Sequence, residues 1–247
     1  MATLTAQTGA APTTESSAAV YTVALEKWID DRVILQGITL SIARGQYIGL
    51  LGANGAGKST LLKILATLTA PSGGRLMLFG RNIGRDAGAS RRRIGLIGHQ
   101  SMLYRDLSAF ENLEFFGRLY GVGDPAARAD ELLRAVELAD RADDPVKSLS
   151  RGMTQRVAIA RALVHDPDLI LADEPFDGLD APSSRSLERL LSQLHEGGKT
   201  IILANHHIEQ SLRLTERAIV LRGGRVVIDS DSRRLTSAAV LKEMERG

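Results

Sequence analysis

The sequence predicts an α/β domain whose core is a mixed sheet flanked by helices, with an antiparallel β part and an inserted all-helical segment. Short apolar runs at residues 46–51, 169–172 and 200–204 have the length and β-branched content of buried strands. Between residues 108 and 165 the apolar spacing changes to that of helices, which predicts the insert. Pro and Gly residues punctuate the joins between these segments.

The remaining elements follow from the same two periodicities. We expect residues 1–19, which are rich in Ala, Thr and Ser, to form a disordered tail. The ordered domain is predicted over residues 20–229, with the helical insert at about 101–166, and residues 230–247 form a helical or frayed C-terminal tail. Further strands are predicted at 21–25, 33–42, 75–79 and 94–98, and helices at 59–68, 111–120, 126–139, 153–164 and 181–195.

The composition excludes several classes of protein. The 247 residues include no Cys, so neither a disulfide framework nor a thiolate metal site can form. The net charge of +2 is too small to favour nucleic acid as a partner. No apolar run reaches the roughly 18 residues that span a bilayer, and the N-terminal residues lack the basic start and apolar centre of a secretory signal. Any membrane role is therefore expected to depend on a partner.

A glycine-rich loop lies between the predicted strand at 46–51 and the helix that follows it. Glycines allow a backbone to curl so that several N–H groups face one anion, and the following helix directs its positive end at the same point. In this phosphate-loop pattern the Lys reaches the terminal phosphates of a nucleotide and the hydroxyl after it ligates Mg²⁺. The alternative is a glycine-rich turn that only caps a helix. The predicted ATP-binding loop comprises Gly52, Ala53, Asn54, Gly55, Ala56, Gly57, Lys58, Ser59 and Thr60.

Two carboxylates follow the predicted strand at 169–172. Asp173 at this strand end is expected to hold Mg²⁺ through water. The neighbouring Glu174 points to the other side of the chain, where it could orient or deprotonate the water that attacks the γ-phosphate. The alternative is a solvated strand end before the turn at Pro175.

A second motif, Leu149-Ser150-Arg151-Gly152-Met153, is followed by a helical run. With the phosphate loop and the two carboxylates, it makes residues 21–229 resemble the nucleotide-binding domain of ABC transporters. The resemblance implies a P-loop NTPase core of RecA-like type and a homodimer. In that dimer, Ser150 and Gly152 of one subunit would contact the γ-phosphate of the ATP held by the other.

The same resemblance assigns roles to further residues. Trp28 stands where the family stacks an aromatic ring on adenine, although packing in the core is the alternative. Gln100 matches the residue that touches Mg²⁺ and the attacking water, and Asp180 lies in a loop that crosses the dimer interface. His206 matches the histidine that contacts the γ-phosphate and holds the catalytic Glu in place. The implied catalytic residues are Glu174, His206, Lys58 and Gln100, and the implied Mg²⁺ ligands are Ser59, Gln100 and Asp173.

Two residues depart from the family signature. Arg151 stands where Gly is usual, and Met153 stands where Gln is usual. Arg151 could add charge near phosphate or face solvent, and both readings stay open. The departures motivate one alternative, a nucleotide-sensing subunit without catalysis. A second alternative is a soluble ABC ATPase that acts on DNA or the ribosome.

The stretch from residue 97 to 121 resembles the ATPase of the haem exporter of cytochrome c maturation, and related drug and polysaccharide exporters share much of it. This resemblance implies a separate integral membrane permease as partner. The chain would then sit at the cytoplasmic face of the cell membrane, with membrane contact through the permease only. The aromatic residues of this stretch either fill a local core or form a docking surface. We expect Tyr104 to line the groove that receives a permease helix.

The basic run at residues 91–93 and the adjacent histidines His206 and His207 are not expected to bind a ligand of their own as nucleic-acid or metal sites. The basic run at residues 91–93 has no interleaved aromatic residue, which favours a solvated turn over a nucleic-acid patch. Metal binding by His206 and His207 is not expected. Adjacent side chains on an extended chain point apart, and the sequence indicates no third ligand.

Overall fold

Ten strands and eight α-helices form the part of the chain that the computed structural model describes, residues 15–98 and 101–245. The strands are β1 (Ala18–Ile29), β2 (Arg32–Ala43), β3 (Tyr47–Gly52), β4 (Gly73–Leu78), β5 (Arg81–Asn82), β6 (Ile94–Ile97), β7 (Leu169–Asp173), β8 (Thr200–Ala204), β9 (Arg217–Arg222) and β10 (Arg225–Asp231). The helices are α1 (Lys58–Leu65), α2 (Ile83–Arg91), α3 (Ala109–Tyr120), α4 (Pro125–Ala135), α5 (Arg151–Leu163), α6 (Ala181–Glu196), α7 (Ile208–Leu214) and α8 (Ser237–Glu245). None of the described helices is long and apolar enough to cross a bilayer.

Two sheets organise these elements. The smaller sheet is antiparallel and has the strand order β2-β1-β4-β5, as the sequence predicts for the antiparallel part. The larger sheet has the order β10-β9-β3-β8-β7-β6. Its strands β9, β3, β8, β7 and β6 are parallel, and β10 pairs with β9 in the antiparallel sense, so the sheet is mixed.

The parallel strands are buried on both faces. In β7, Leu169 and Leu171 pack into the core that the antiparallel sheet and α1 share, whereas Ile170 and Ala172 pack into the core on the side of α3–α6. This division follows from the two-residue period of a strand. A strand covered on both faces is apolar at every position, which is why these segments appear in the sequence as continuous apolar runs.

The helical insert begins and ends at well-formed caps. Ser108 and Glu111 form a capping box at the start of α3, and α3 stops at Gly121, whose φ is 76°. Asp124 caps α4 through the backbone N–H of Ala127. These contacts end α3 and start α4 within a short loop. The two helices also pack against each other.

Side chains of the insert hold it to the large sheet. The guanidinium of Arg161 donates to the carbonyl oxygen of Leu96 over 2.8 Å. The Nε2 atom of His165 lies 3.0 Å from the carbonyl oxygen of Ile94, and the His165 ring stacks on Tyr120 at 3.9 Å. Burial lowers the pKa of His165, so the ring is neutral near pH 7 and Nε2–H can donate. The insert is therefore fixed to strand β6.

The predicted elements are confirmed in type, with differences at their ends. Strand β1 starts at Ala18 rather than at residue 21, because its first residues pair with β2 and are buried. Helix α1 ends at Leu65, since Thr67 has a φ of 58°. Helix α4 ends at Ala135, since Glu137 has a φ of 56°. Elements β5, α2, α7, β9 and β10 have no counterpart among the predicted ones. The domain boundaries at residues 20 and 229 stay a prediction.

Helix α8 packs onto the core from beyond the predicted C-terminal boundary. Val240 is completely buried and lies in one apolar cluster with Leu51 and Val220 of the large sheet. Arg222 of β9 donates to the Glu243 carboxylate over 3.0 Å. The last helix therefore covers the strand that leads into the phosphate loop.

Replacing Val240 by Ala should lower the free energy of unfolding by about 1 to 3 kcal/mol, because it removes two buried methyl groups and leaves a cavity. Urea denaturation followed by circular dichroism measures this change. The neighbouring Leu241 is 44% exposed, so Leu241→Ala is the matched control, with an expected change within about 0.5 kcal/mol. Equal stabilities of the two variants would contradict the packing of α8.

Candidate functional site

The glycine-rich loop joins β3 to α1 and requires glycine at several positions. Gly52, Gly55 and Gly57 have φ values of 153°, 80° and 105°, which side chains rarely allow. A Cβ on Gly52 would lie 2.5 Å from the carbonyl oxygen of Leu221, and one on Gly57 would lie 2.7 Å from Leu35. The loop is therefore held against β9 and β2 without room for side chains. Ala53, Asn54 and Gly55 remain exposed at its tip.

Lys58 is the first residue of helix α1, and its side chain folds back over the loop. Its ammonium group donates to the carbonyl oxygens of Gly52 and Ala53 over 2.7 and 3.2 Å. Burial lowers the pKa of Lys58, while the negative charges of Glu174 and Asp173 act in the opposite direction. A buried ammonium group thus lies at the N-terminus of a helix beside two carboxylates.

Ser59 and Asp173 meet although they are far apart in the sequence. The Ser59 hydroxyl donates to Oδ1 of Asp173 over 3.1 Å. Asp173 is the last residue of β7, which is separated from β3 by β8 in the parallel sheet. A hydroxyl and a carboxylate oxygen are ligands that Mg²⁺ prefers, and their proximity fits the predicted metal pair.

Glu174 and His206 form the second contact at this edge of the sheet. Oε2 of Glu174 accepts a hydrogen bond from the backbone N–H of His206 over 3.1 Å and lies 2.8 Å from its Nδ1 atom. The backbone of Glu174 has a φ of 51°, an unfavourable value for a residue with a long side chain. Its N–H is bound by the carbonyl oxygen of Ala204 at the end of β8. The backbone is thus held in a strained conformation that directs the carboxylate at His206.

The predicted residue Gln100 lies outside the described residues. The strand before it, β6, pairs with β7 so that Ile97 is opposite Ala172. The chain therefore leaves β6 at the same edge of the sheet at which Asp173 and Glu174 lie.

Trp28 lies near the end of β1 with 52% of its surface exposed. Its backbone N–H is bound by the hydroxyl of Ser72, which fixes the strand at this point. Such exposure excludes the core-packing alternative. The indole face is accessible to a planar ligand.

The signature segment, residues 149–153, caps helix α5 away from the phosphate loop. The Ser150 hydroxyl accepts from the backbone N–H of Met153 over 3.2 Å, so Ser150 is the N-cap of α5. A Cβ on Gly152 would lie 3.7 Å from the carbonyl oxygen of Gly178, in the loop before α6. Within residues 15–98 and 101–245, no hydrogen bond links Ser150 or Gly152 to the phosphate loop. The residues predicted to bind one nucleotide therefore form two separate groups in a single chain.

Arg151 and Asp180 also belong to this second group. The guanidinium of Arg151 covers Gly178, since a Cβ at Gly178 would lie 2.8 Å from Nε. Asp180 caps helix α6 by accepting from the backbone N–H of Ser183 over 2.9 Å. Hydrogen bonds from Ser183 lower the pKa of the Asp180 carboxyl group, which is consistent with a charged cap.

A polar network around the buried Asn205 supports the segment that carries His206, and sequence reasoning missed it. Asn205 accepts from the backbone N–H of His207 and donates to Gln210. Gln210 donates in turn to Glu188 of α6, which also binds Arg213. Buried Asn205 at a strand end was the one available signal, because buried amides need partners.

The structure corrects the prediction that His206 and His207 diverge. The two imidazole rings lie side by side, with their centroids 4.0 Å apart. The prediction assumed an extended chain, but β8 ends at Ala204 and His207 is already the N-cap of α7. Asp177 is a third potential ligand, with Oδ1 3.9 Å from Nδ1 of His206.

The basic run at residues 91–93 has structural contacts within the domain. Arg91 donates to the Thr67 hydroxyl over 2.8 Å. Arg93 pairs with Asp168 over 2.6 Å and lies over the ring of Phe79. These contacts account for two of the three arginines as parts of the fold.

A comparison with models of protein families identifies the family to which the chain belongs. The family described as ABC transporter matches residues 35–177, a range that includes the phosphate loop, the signature segment and both carboxylates. This chain belongs to the ABC transporter family. As a member, it is an ABC-type ATP-binding and ATP-hydrolysing subunit.

Curated relatives of this ABC ATPase include ATP-binding proteins named for Nod factor export and for daunorubicin resistance. Nod factor export ATP-binding protein I of Cupriavidus metallidurans is 38% identical over 218 residues, which are 87% of this chain and 72% of that protein. Daunorubicin resistance ATP-binding protein DrrA3 of Streptomyces coeruleorubidus is 39% identical over 206 residues, 83% of this chain and 65% of that protein. These relatives do not support the expected haem-export subtype.

Solved structures share the fold. An ATP-binding cassette determined as a dimer, in a post-hydrolysis state with ADP and Pi, is 32% identical and has a TM-score of 0.81. The match covers 87% of this ABC ATPase and all of that chain. The predicted α/β P-loop architecture with an inserted helical segment is thereby confirmed.

Gly57→Ala should weaken nucleotide binding by about tenfold or more, because Ala is strained at a φ of 105° and its methyl group would meet Leu35. Titration with a fluorescent ATP analogue measures the dissociation constant. Gly88→Ala is the matched control, since no atom lies within 4 Å of the added methyl group and the residue is exposed. Unchanged affinity in Gly57→Ala would contradict the assignment of this loop.

Proposed function

We propose that this chain energises the export of a small organic molecule by hydrolysing MgATP as a homodimer bound to a membrane permease. The observation that carries the proposal is the convergence of an ammonium, two carboxylates and an imidazole at one sheet edge. These groups belong to Lys58, Asp173, Glu174 and His206. Export is supported by the names of the curated relatives, whereas haem as the substrate rests on the resemblance of residues 97–121 alone.

The first step is the capture of the nucleotide phosphates. The backbone N–H groups of residues 53–58 and the N-terminus of α1 would face the anion, because the loop is curled around one point. Lys58 would exchange its two loop carbonyls for phosphate oxygens. Ser59 and Asp173, with Gln100, would hold Mg²⁺, which supplies charge neutralisation between the phosphates. These residue types fit that ion because all of them offer oxygen ligands.

The second step is the attack of water on the γ-phosphate. Glu174 would orient this water, and His206 would fix the carboxylate through the contact of 2.8 Å. His206 and Lys58 would stabilise the charge that moves to the leaving group. The constrained backbone of Glu174 reduces the freedom of the carboxylate, as expected for a positioned catalytic group.

The nucleotide site is completed by a second subunit. Ser150 and Gly152 lie at the exposed start of α5 without a hydrogen bond to the phosphate loop of their own chain, within the described residues. A helix N-terminus attracts anions, so the partner's signature segment can close over the γ-phosphate. Trp28 would stack on adenine, and Asp180 would lie at the dimer interface beside the N-terminus of α6.

Arg151 would stabilise the interface loop rather than bind phosphate. Its guanidinium covers Gly178 of the same chain, and Gly178 has a φ of 77°. This contact with Gly178 supports a structural role for Arg151, in addition to the two readings that the sequence left open.

An aromatic surface on the helical insert is the proposed docking site for the permease. Tyr104 is 52% exposed, and its ring packs edge-on against Phe115 at 5.1 Å. Phe116 lies beneath both rings, and Arg161 contacts Phe116 and Leu96. Docking at this surface would place the permease over β6, one strand away from Asp173. The chain would attach to the cytoplasmic face of the cell membrane only through this permease.

Glu174→Gln should reduce phosphate release by about 100-fold or more, because the amide cannot activate water, while ATP binding persists. A phosphate-release assay and size-exclusion chromatography with ATP measure turnover and the trapped dimer. Glu209→Gln is the matched control, since Glu209 is exposed in the first turn of α7 and, among the described residues, its side chain makes no hydrogen bond or ion pair with Lys58, Asp173 or Glu174. Wild-type turnover in Glu174→Gln would refute its catalytic role, and a wild-type chain without turnover would favour the nucleotide-sensing alternative.

Tyr104→Ala should uncouple ATP hydrolysis from the membrane partner, because it removes an exposed ring from the docking surface. The measurement is co-purification with membrane proteins together with the stimulation of ATPase by solubilised membranes. Leu68→Ala is the control, as Leu68 is 58% exposed, follows the last residue of α1 by three positions and lies outside this surface. Unchanged co-purification and stimulation would place the docking surface elsewhere.

A further inference from the structure

We propose that His206, His207 and Asp177 form a binding site for a divalent transition-metal ion such as Zn²⁺, and that an ion bound there arrests ATP hydrolysis. The arrest rests on the proposed catalytic role of His206, whereas binding of the ion does not. The two parts of the inference can therefore be tested separately.

The distances between the potential ligands fit one ion. The ligand atoms of the three side chains all lie within 4.8 Å of one another, and the two imidazole rings are 4.0 Å apart. Ligand bonds of about 2.0–2.1 Å in a tetrahedral site place neighbouring ligand atoms about 3.4 Å apart. Rotamer changes that move these ligand atoms by little more than 1 Å would thus close the site around an ion, since both imidazoles are exposed and Asp177 is half-buried.

The site is open to the surrounding solution. Both imidazoles are exposed and line an open cavity of about 910 Å³ between α6, α7 and α8. The His207 side chain makes no capping hydrogen bond at the start of α7, so ligation would not disrupt the helix. An ion can enter, and one or more water molecules can complete its coordination.

The ligand types select the class of ion. Two imidazoles and one carboxylate suit Zn²⁺, Ni²⁺, Co²⁺ or Cu²⁺, whereas Mg²⁺ prefers oxygen ligands. The site is therefore chemically different from the proposed Mg²⁺ ligands Ser59 and Asp173. The sequence has no Cys, so thiolates do not compete for the ion within this chain.

The inhibitory effect follows from the contact between His206 and Glu174. Nδ1 of His206 lies 2.8 Å from Oε2 of Glu174 and 3.9 Å from Oδ1 of Asp177. An ion shared by His206, His207 and Asp177 would hold the imidazole away from the γ-phosphate. It would also attract the Glu174 carboxylate away from the attacking water. Phosphate capture by the loop around Lys58 would remain.

The binding test uses untagged, nucleotide-free chain, because a polyhistidine tag and ATP both bind these ions. Visible absorption of Co²⁺ and calorimetry with Zn²⁺ should report one tight site per chain. His207→Ala should lower the affinity for Co²⁺ and Zn²⁺ by about tenfold or more, since it removes a ligand. Loss of a residue that only hydrogen-bonds a metal ligand already lowers metal affinity by at least about tenfold. Asp177→Asn should act in the same direction.

His195→Ala is the matched control for this titration. His195 lies at the C-terminal end of α6, and Asp177 precedes the N-terminal end of this 16-residue helix. A helix of this length spans about 24 Å, so His195 lies at the end of α6 that is remote from Asp177. Equal affinities of His207→Ala, His195→Ala and wild type would overturn the site.

The inhibition test adds Zn²⁺ to the Mg²⁺-dependent ATPase reaction at saturating ATP. Basal activity of His207→Ala should equal that of wild type, and the Zn²⁺ concentration for half-inhibition should rise about tenfold or more, in parallel with the lost affinity. Tight binding to wild type without inhibition would overturn the arrest. A wild-type chain without any ATPase activity would refute the proposed function, while the Co²⁺ titration would still decide on the site.

Discussion

The parallel pairing of β3, β8, β7 and β6 is the constraint on which the remainder of the site depends. Parallel strands end at one edge of a sheet, and this edge receives the phosphate loop, Asp173, Glu174 and His206 from different parts of the chain. The register is held by apolar side chains on both faces of each strand. A slip by one residue would exchange the two faces, so the core itself fixes the positions of the polar groups.

Charge balance links the groups at this edge. Burial disfavours the ammonium form of Lys58, and the carboxylates of Glu174 and Asp173 favour it. The Lys58 side chain is held by loop carbonyls, Asp173 by the Ser59 hydroxyl and Glu174 by His206. Each group thus has a partner that a nucleotide, an ion or water can replace. Such prearranged polar groups need little reorganisation when the substrate binds.

Much of this arrangement could be predicted from local patterns. The glycine loop, the acidic strand end and the helix start at Ser150 each combine a sequence motif with a physical reason for its residue types. Strand β1 was placed too short, because its many register shifts interrupt the alternation on which the prediction relied. Strands β9 and β10 were not predicted, since charged residues border their apolar centres.

Contacts that depend on the path of the chain in space could not be predicted. The proximity of the His206 and His207 rings depends on a chain that turns into α7, and periodicity contains no such information. The Arg151 contact with Gly178 likewise depends on how α5 and the loop before α6 pack. Both are properties of tertiary structure, for which sequence spacing gives no distance.

The position of Trp28 has a practical consequence for experiments. It is the one tryptophan of the sequence, and about half of its indole surface is open to water. Tryptophan fluorescence of the native protein therefore originates at a single point of β1. Stacking of a purine on this ring would quench the signal, so nucleotide occupancy could be followed optically without attaching a dye.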